Sequence, residues 1–459
     1  MSNVYTAYPS AYKLRAVTIY PALSTDTRVA VNIRNLVPSF TITESMLSDS
    51  IRGSMNVVDS SGLLEGYPIR GEENLYIELE DSLGVVRKFR LFVYRVDNVS
   101  SSNNNDLVSY TLHFVSQQRF IADQKKVTAS YNKRVSNIIQ EIFNNYCKPK
   151  TYSGPRNRTD SEDPSKELIF EDTEGDIKII IPRLTPIQAL KFLESRAYSA
   201  SSPTCSFRFF ERADAFYFAS DEYMLNKAVS EDKIFEFTYT ADIKQTGDYF
   251  LHQMTNFENF VNTSRVDTFD DLHSGAYKNK IIVLDIVNRV TNIAEPAFDY
   301  STEKQKYFKG LTEVVSDVDK HSDGFVNTIF TDENARRFLM VRDYTDENAG
   351  QLRGEQFLPQ IAANRLAYFN NVNAIKVSSS GAGRLDITCG DFIRIVIPEF
   401  MHVDREKQLN NQLSGVYMVE SVTRVVDKDR YTNQYSLIKR NWARSVQDVD
   451  NRFLLGGDA

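Results

Sequence analysis

The chain has 459 residues, enough for about three domains of ordinary size. Its 54 Lys and Arg against 61 Asp and Glu, a net charge of −7, argue against a surface built to grip nucleic acid phosphates. No apolar run approaches the roughly 18–20 residues of a membrane helix, and no leader-like segment is present, so we expect neither a membrane span nor export by a signal peptide.

The three cysteines, Cys147, Cys205 and Cys389, are far apart and odd in number, which favours isolated thiols over a disulfide framework or a zinc knuckle.

The first part of the chain, residues 1–125, predicts an antiparallel β-domain. Short segments of alternating apolar and polar residues, separated by Gly, Asn, Asp and Ser turns, indicate about six strands. These are Val29–Ile33, Ser39–Thr43, Ser54–Val58, Leu75–Leu79, Val85–Tyr94 and Ser109–Val115. Such a set is typical of a small barrel or sandwich.

The pattern changes near Ser130 and predicts an α/β insert over residues 126–237. Apolar side chains recur at helical spacing from Val135 to Tyr146, which predicts a helix with one buried stripe. Ser130 stands where we expect the N-cap of this helix. Together with Lys133 it matches the Ser-x-x-Lys pattern of serine acyl enzymes, but the companion motifs are missing, so we interpret Ser130 as a cap.

A second helix is predicted to begin after Thr185. Thr185 has the right side chain for an N-cap, Pro186 suits the first helical position, and Gln188 completes a capping box. The segments Cys205–Phe210 and Ala215–Ala219 follow as a predicted hairpin.

Residues 238–445 predict a second β-barrel domain, with an irregular polar insertion at about 302–355 and a C-terminal tail at 446–459. A helix fits Phe357–Phe369, and Gly381-Ala382-Gly383 is interpreted as a turn between two strands, since no Lys-Ser/Thr follows it as in a phosphate loop. The predicted strands are Ile281–Ile286, Ala374–Val377, Leu385–Thr388, Phe392–Ile397, Gly415–Thr423 and Tyr431–Ile438.

The same hairpin pattern occurs twice in the sequence, at positions more than 300 residues apart. The first copy joins Val93–Val99 to Tyr110–Leu112 through a polar tip, and the second joins Val416–Val422 to Tyr435–Leu437. Both read Val-Tyr-x-Val-acid-x-Val on one arm and Tyr-(Thr/Ser)-Leu on the other. We therefore predict a mainly β fold with two tandem similar antiparallel β-barrels of the tube type, separated by the helix-containing α/β domain.

Residues with catalytic or metal-binding chemistry form no recognised pattern. The five histidines, at positions 113, 252, 273, 321 and 402, lack His-x-x-x-His spacing, which leaves only a zinc site assembled by the fold. The acidic pairs Asp270-Asp271 and Asp317/Asp319 could supply a glycosidase dyad, but acids adjacent on one segment are usually a solvated face. We assign no catalytic, cofactor or metal residue and expect a protein that is not an enzyme.

Four stretches together resemble one known family. They are Ser39–Glu80, Ile181–Leu190, Ser274–Asp285 and Cys389–Leu437. In this order and spacing the set resembles baseplate hub proteins of contractile-tailed phages, the relatives of late control protein D and of the base of type VI secretion spikes. The resemblance spans most of the chain but does not include residues 302–355.

The resemblance implies a homotrimer in which each chain supplies two barrels to a pseudo-six-fold ring. Such a ring would join the six-fold tail tube protein to the three-fold central spike protein, beside other baseplate proteins, and let DNA pass without specific binding. It would belong to the virion, at the tail baseplate, after assembly in the host cytoplasm. We expect its inner wall to present Asp, Glu, Ser, Thr and Asn in preference to Lys and Arg. A tail-associated peptidoglycan hydrolase and a receptor-binding tail protein are the alternatives.

Overall fold

The computed structural model describes residues 8–21, 30–148, 166–239, 249–263, 375–397 and 413–439, apart from 68, 70, 72, 102–106 and 203. It also describes the backbone of strands at 280–285, 290–294 and 336–341, and the helical residues Ile361, Arg365, Tyr368 and Phe369. Strands dominate these parts of the chain, as the sequence predicts.

The first repeat is an antiparallel sheet with one buried face. Its strands are β1 Tyr12–Tyr20, β2 Val31–Asn32, β3 Ser39–Ser45, β4 Arg52–Asp59, β5 Asn74–Asp81, β6 Val86–Ser101 and β7 Val108–Ser116. A 3-10 turn lies at Arg34–Leu36 and a one-turn helix, α1, at Leu63–Gly66. The strands pair in the order β3-β4-β7-β6-β5-β1-β2, and alternate side chains of each strand enter one hydrophobic core.

The α/β insert has its own core. Its elements are α2 Gln117–Asp123, β8 Val127–Arg134, α3 Val135–Ile142, β9 Leu168–Phe170, β10 Asp176–Leu184, α4 Pro186–Glu194, β11 Arg208–Glu211, β12 Phe216–Ala219 and α5 Asp221–Ser230. A π-helical turn, Phe143–Cys147, continues α3. Two small sheets, β10-β8 and β11-β12-β9, cover the apolar sides of α3 and α4.

The second repeat follows the insert. Its elements are β13 Ile234–Thr238, α6 Tyr249–Met254, β14 Phe257–Asn262, β18 Lys376–Ala382, β19 Phe392–Val396, β20 Gly415–Val426 and β21 Tyr431–Lys439. Between β14 and β18, a separate sheet contains β15 Lys280–Asp285, β16 Val290–Ala294 and β17 Arg336–Val341 in the order β16-β15-β17. Strand β17 therefore lies within the segment predicted as an irregular insertion.

The two repeats have the same strand order. In the first repeat it is β3-β4-β7-β6-β5-β1 and in the second it is β14-β18-β21-β20-β19-β13. The hairpin register is also repeated, because Val96 lies opposite Leu112 in one copy and Val419 lies opposite Leu437 in the other. One difference is that β1 is antiparallel to β5, whereas β13 is parallel to β19. The predicted fold class, with two similar β-domains and a helix-containing insert, is confirmed.

The two repeats are joined to each other, because one 13-stranded sheet contains strands of both. The first half of β20 pairs with β19, but its second half, from Ser421 to Val426, pairs with β3 of the first repeat. The duplicated hairpin therefore joins the two repeats edge to edge.

The helix predictions have mixed outcomes. The capping box is confirmed: the Gln188 N–H donates to Thr185 Oγ1 at 3.3 Å, and the Thr185 N–H donates to Gln188 Oε1 at 3.1 Å. The cap role of Ser130 is wrong. Ser130 lies within β8, opposite Ile180 of β10, and pairing with β10 holds this strand extended to Arg134, the residue before α3.

One turn prediction and one strand prediction near Gly383 are wrong. Gly381 and Ala382 do not form a turn, because β18 continues through both of them beside β21. Leu385–Thr388 is a loop, in which the Leu385 N–H donates to Asp81 and the Thr388 N–H donates to Asp391, each at 2.8 Å. Buried carboxylates replace the backbone partners that a strand would need.

Candidate functional surface

One face of the joined sheet is mostly neutral and polar, although it includes the exposed valines Val58 and Val261 and a few charged side chains. It spans eight strands, β14-β18-β21-β20-β3-β4-β7 and the second half of β6, on the side away from the cores of the two repeats. We call this surface the polar face. Its hydroxyl and amide side chains are Ser39, Thr41, Thr43, Ser45, Ser54, Asn56, Ser100, Ser109, Thr111, Asn259, Ser378, Ser380, Ser421, Thr423, Thr432, Gln434 and Ser436.

The polar face follows from strict alternation along each strand. In β3, Phe40 and Ile42 are buried, whereas the residues that alternate with them, Ser39, Thr41 and Thr43, point to the other side. Short β-branched and hydroxyl side chains suit a half-exposed strand surface because they fit the pleat and retain a polar group for water or a neighbour. The face is therefore built by the same pattern that builds the core.

Neighbouring side chains of the polar face form hydrogen bonds across the strands. The pairs are Thr41 with Ser54 at 3.1 Å, Thr43 with Thr423 at 3.0 Å, Asn56 with Ser39 at 3.0 Å, Thr111 with Asn56 at 3.1 Å, Ser100 with Ser109 at 2.7 Å and Asn259 with Ser380 at 3.1 Å. The bond between Thr43 and Thr423 crosses from one repeat to the other. These hydrogen bonds hold the side chains of the surface in defined positions on both sides of the junction.

Each Lys and Arg of the polar face, within the strands that the structure describes, has a carboxylate within ion-pair distance. The pairs are Arg52 with Asp49 at 3.3 Å, Arg95 with Asp97 at 2.6 Å and Lys376 with Glu420. His113 adds a contact of 3.2 Å to Asp97. Because every cation has an acidic neighbour, the face offers a passing phosphate group little net attraction.

The junction behind the polar face contains a buried ion pair. The guanidinium of Arg424 on β20 contacts the carboxylate of Glu44 on β3, and both side chains are fully buried. Arg424 also donates to the carbonyl oxygen of Ile387 at 2.9 Å. Val426 and Tyr431, from the second repeat, belong to the core of the first repeat. The junction is thus part of the folded core, and β20 pairs with β3 in a single defined register.

The insert is tied to both repeats through charged groups. The Glu211 carboxylate accepts a hydrogen bond from the Ile51 N–H at 2.9 Å and pairs with Lys166 at 2.6 Å. Arg212 pairs with Asp391 of the second repeat at 3.1 Å, where both side chains are buried. These contacts fix the insert against the joined sheet.

The residues singled out for chemistry are not brought together. Ser130 and Lys133 are three apart on β8, so they point to opposite faces, and Lys133 pairs with Glu141 at 2.7 Å. His113 lies on β7 and His252 on α6. The remaining candidates, His273, His321, His402, Asp270, Asp271, Asp317 and Asp319, lie outside the described residues.

The three cysteines are buried and unbridged. Burial raises the pKa of Cys147 and of Cys205 to about 12, and raises the pKa of Cys389 well above its ordinary value. These thiols are therefore protonated at neutral pH and are poor nucleophiles.

The described residues contain no group of three or more His, Cys, Asp or Glu side chains placed to hold a metal ion. Within the same ranges, no helix is long and apolar enough to cross a membrane.

Sequence reasoning missed two features of this surface. The alternating Ser and Thr residues of β3, β4, β7, β20 and β21 mark one polar side in each strand, but the sequence does not show that these sides join into one face. The burial of Arg424 could not be predicted from the sequence, because a single basic residue in an alternating strand is usually exposed to solvent.

Comparison with known proteins finds likeness in structure but not in sequence. No family model matches the chain, and no curated protein matches it. A tail protein from Neisseria meningitidis MC58 superposes with a TM-score of 0.51 at 10% identity, over 93% of this chain and 96% of that one. The 43 kDa tail protein of prophage MuSo2 from Shewanella oneidensis gives a TM-score of 0.52 at 9% identity, over 94% and 100%.

This chain has the fold of phage tail proteins. The likeness covers nearly the whole length of both chains in each comparison, so it includes both repeats and the insert. The family resemblance read from the four sequence stretches is thereby confirmed at the level of the fold. Function is a separate question, because one fold can support different functions.

Proposed function

We propose that this protein is a structural hub of a phage tail baseplate. Three copies form a ring of six β-repeats, which joins the six-fold tail tube to the three-fold central spike. The observation that carries the proposal is the edge-to-edge junction of β20 with β3, which places two equivalent repeats side by side in one sheet within one chain. Two repeats per chain are what a three-fold assembly needs in order to present six similar units.

The polar face forms the wall of the central passage in this ring. It continues without interruption from one repeat to the next, across the contact between Thr43 and Thr423. A wall of hydroxyl and amide groups whose few cations are already paired adds little salt-dependent affinity for DNA. DNA therefore slides past the wall without specific binding.

The partners of the ring are the tail tube protein, the central spike protein and other baseplate proteins, besides the chain's own copies. The ring belongs to the virion, at the tail baseplate, and assembles in the host cytoplasm. The protein's role is mechanical: it binds its neighbours in the baseplate, and the wall of its passage binds DNA only weakly. This is the function that the joined repeats and their neutral face support best.

Cryo-electron microscopy of purified tails, with light scattering of the isolated protein, tests this function. We expect three copies between tube and spike, with equivalent repeats rotated by about 60° and the polar face toward the bore. Absence of the protein from tails, or a ring whose polar face points outward, would contradict the proposal.

A further inference from the structure

Strands β8 and β10 form a two-stranded sheet in the insert, which we call the insert ribbon. Alternate residues of β10, such as Ile177 and Ile181, belong to the core of the insert. The residues between them face outward, and the exposed side chains of this outer face include Ser130, Asn132, Lys178 and Ile180. Among the described residues, neither strand has a partner strand on its other side. The ribbon thus has one covered face, one open face and two edges.

The two edges of the insert ribbon differ in their protection against strand addition. In β10, Pro182 lacks an N–H group, and a bulge places Pro182 and Arg183 opposite Thr128. Arg183 also has a φ of 47°, so the backbone there leaves the extended form. Proline and bulges are features that keep an edge strand from pairing with another chain. Strand β8 has neither feature, and its pairing is regular over residues 129–134.

The outer edge of β8 is open to water. In an antiparallel strand the backbone groups point to both sides, so β8 has N–H and C=O groups directed away from β10. Within the described part of the chain, no group forms a hydrogen bond to this side of residues 128–132. Since buried backbone groups are nearly always paired, these groups lie in solvent. Strand β8 is therefore the edge that can accept a third strand.

Cations stand at both ends of this edge. Lys126 precedes β8 and Arg134 ends it, and neither has a carboxylate of the described residues within ion-pair distance. Lys178 on the open face is unpaired in the same sense, and the acid Asp176 lies opposite Arg134. Residues 127–132 between the two ends carry no charge. The ends of the edge therefore favour acidic residues, and its middle favours neutral ones.

We propose that the outer edge of β8 binds an extended acidic segment of another protein, which adds to the insert ribbon as a third strand. The segment has an acidic residue at each end, eight positions apart, opposite Lys126 and Arg134. At about 3.3 Å per residue these two positions are about 26 Å apart along the strand. Main-chain hydrogen bonds supply the affinity, and the charges at the ends select the segment. The contact is separate from the proposed ring, because it uses the insert and not the joined sheet.

Ile180 offers the added strand an apolar contact. It lies opposite Ser130 on the open face and is 65% exposed. Only the short side chain of Ser130 separates Ile180 from the outer edge of β8. A large side chain in the middle of the segment can therefore reach across Ser130 and cover Ile180.

A synthetic peptide tests the proposal with the full-length protein. Its sequence, Glu-Val-Thr-Val-Tyr-Val-Thr-Val-Glu, has acids eight positions apart and a tyrosine in the middle, and a matched peptide has lysine at both ends. Calorimetry measures binding, and hydrogen exchange measures protection of the backbone amides of residues 128–132 that do not pair with β10.

One protein variant reverses the charges of the edge, and a second is its control. Lys126→Glu/Arg134→Glu places acids at both ends of the edge. Arg34→Glu/Lys233→Glu makes the same change in net charge at two exposed positions outside the ribbon.

We expect the wild type and the control variant to bind the acid-ended peptide and to gain protection at residues 128–132. Lys126→Glu/Arg134→Glu should bind that peptide about tenfold more weakly, because two attractions become two repulsions. The same variant should prefer the lysine-ended peptide. This exchange of preference also shows that the variant is folded.

Three results would overturn the inference. Equal affinity of the wild type for the two peptides would show that charge does not select the segment. Binding without added protection of residues 128–132 would place the peptide on another surface. A wild type that binds neither peptide would show that the edge accepts no such strand, and amides already protected in the isolated protein would show that this chain covers its own edge. In each case the proposed ring would stand, since it is tested on assembled tails.

Discussion

Arg424 and Glu44 are the most costly residues of the junction to bury. Both are fully buried, and within the described part of the chain Arg424 Nε and Glu44 Oε2 have no hydrogen-bond partner. An incompletely bonded buried ion pair adds little net stability, since desolvation offsets the attraction between the charges. The pair instead specifies the register of β20 on β3, because a shift of β20 by one residue would turn Arg424 to the wrong face of the sheet.

Removing one member of this pair should destabilise the protein more than removing both. We expect Arg424→Met to lower the free energy of unfolding by about 3–5 kcal/mol, because Glu44 is left as a buried, uncompensated charge. The double variant Arg424→Met/Glu44→Leu should recover most of that loss. Urea unfolding measures both values. Equal stability of the single and double variants would contradict the interpretation.

Lys439 gives a pH-dependent prediction. Burial lowers the pKa of its ammonium to about 8, and its Nζ donates to the Ser414 carbonyl oxygen at 2.6 Å. Between pH 8 and its ordinary value of 10.5, the unfolded chain binds the proton and the folded chain does not. In that window stability therefore rises with pH, and below it the contribution is constant.

The matched variant for this effect is Lys439→Met, which lacks the titrating group. From pH 8 to pH 10 we expect the wild type to gain about 2 kcal/mol relative to the variant, measured by urea unfolding at each pH. A difference between the two proteins that does not change over this range would show that Lys439 keeps its proton when buried.

At the scale of elements, helix α4 depends on its capping box. We expect Thr185→Ala to lower the free energy of unfolding of the insert by about 1 kcal/mol, because the Gln188 N–H loses its side-chain acceptor. Thr185→Ser keeps the hydroxyl and should remain close to the wild type. Circular dichroism during urea unfolding provides the measurement, and equal losses in both variants would argue against a capping effect.

Local signals in the sequence were sufficient for elements with local causes. The capping box of α4 and the hairpins of β6 with β7 and β20 with β21 depend on residues close in sequence, and all were predicted. The failures have distant causes. Strand β8 continues past Ser130 because β10 pairs with it, and the loop Leu385–Thr388 is held by carboxylates from other segments. Neither partner could be identified from local pattern alone.

The junction between repeats shows the same limit. The duplicated hairpin was visible in the sequence, but its alignment gave no sign that β20 would divide its pairing between β19 and β3. The polar face was visible strand by strand, since alternation marks it in each. Its continuity could be recognised only after the order of the strands was known, because it depends on which strands become neighbours.

At the scale of the whole molecule, the net charge of −7 and the paired cations of the polar face both keep the attraction to DNA phosphates weak. The proposed ring must keep its shape without binding the DNA that passes through it. Cross-strand bonds between hydroxyl and amide groups supply the rigidity, and the absence of unpaired Lys or Arg on the described strands of this face keeps attraction to phosphate low.

Adding cations to the polar face should therefore retard DNA. Asn56 and Ser378 are exposed residues of this face, one in each repeat, so Asn56→Lys/Ser378→Lys adds two charges per chain with little effect on the core. Binding of DNA to the isolated ring should appear, with a salt dependence of about −0.9 in log K per phosphate contacted, and particles carrying the variant should release DNA more slowly. The control is Asn56→Gln/Ser378→Gln, which adds length and polarity without charge. If the lysine and glutamine variants release DNA at the same rate, the polar face does not line the path of the DNA.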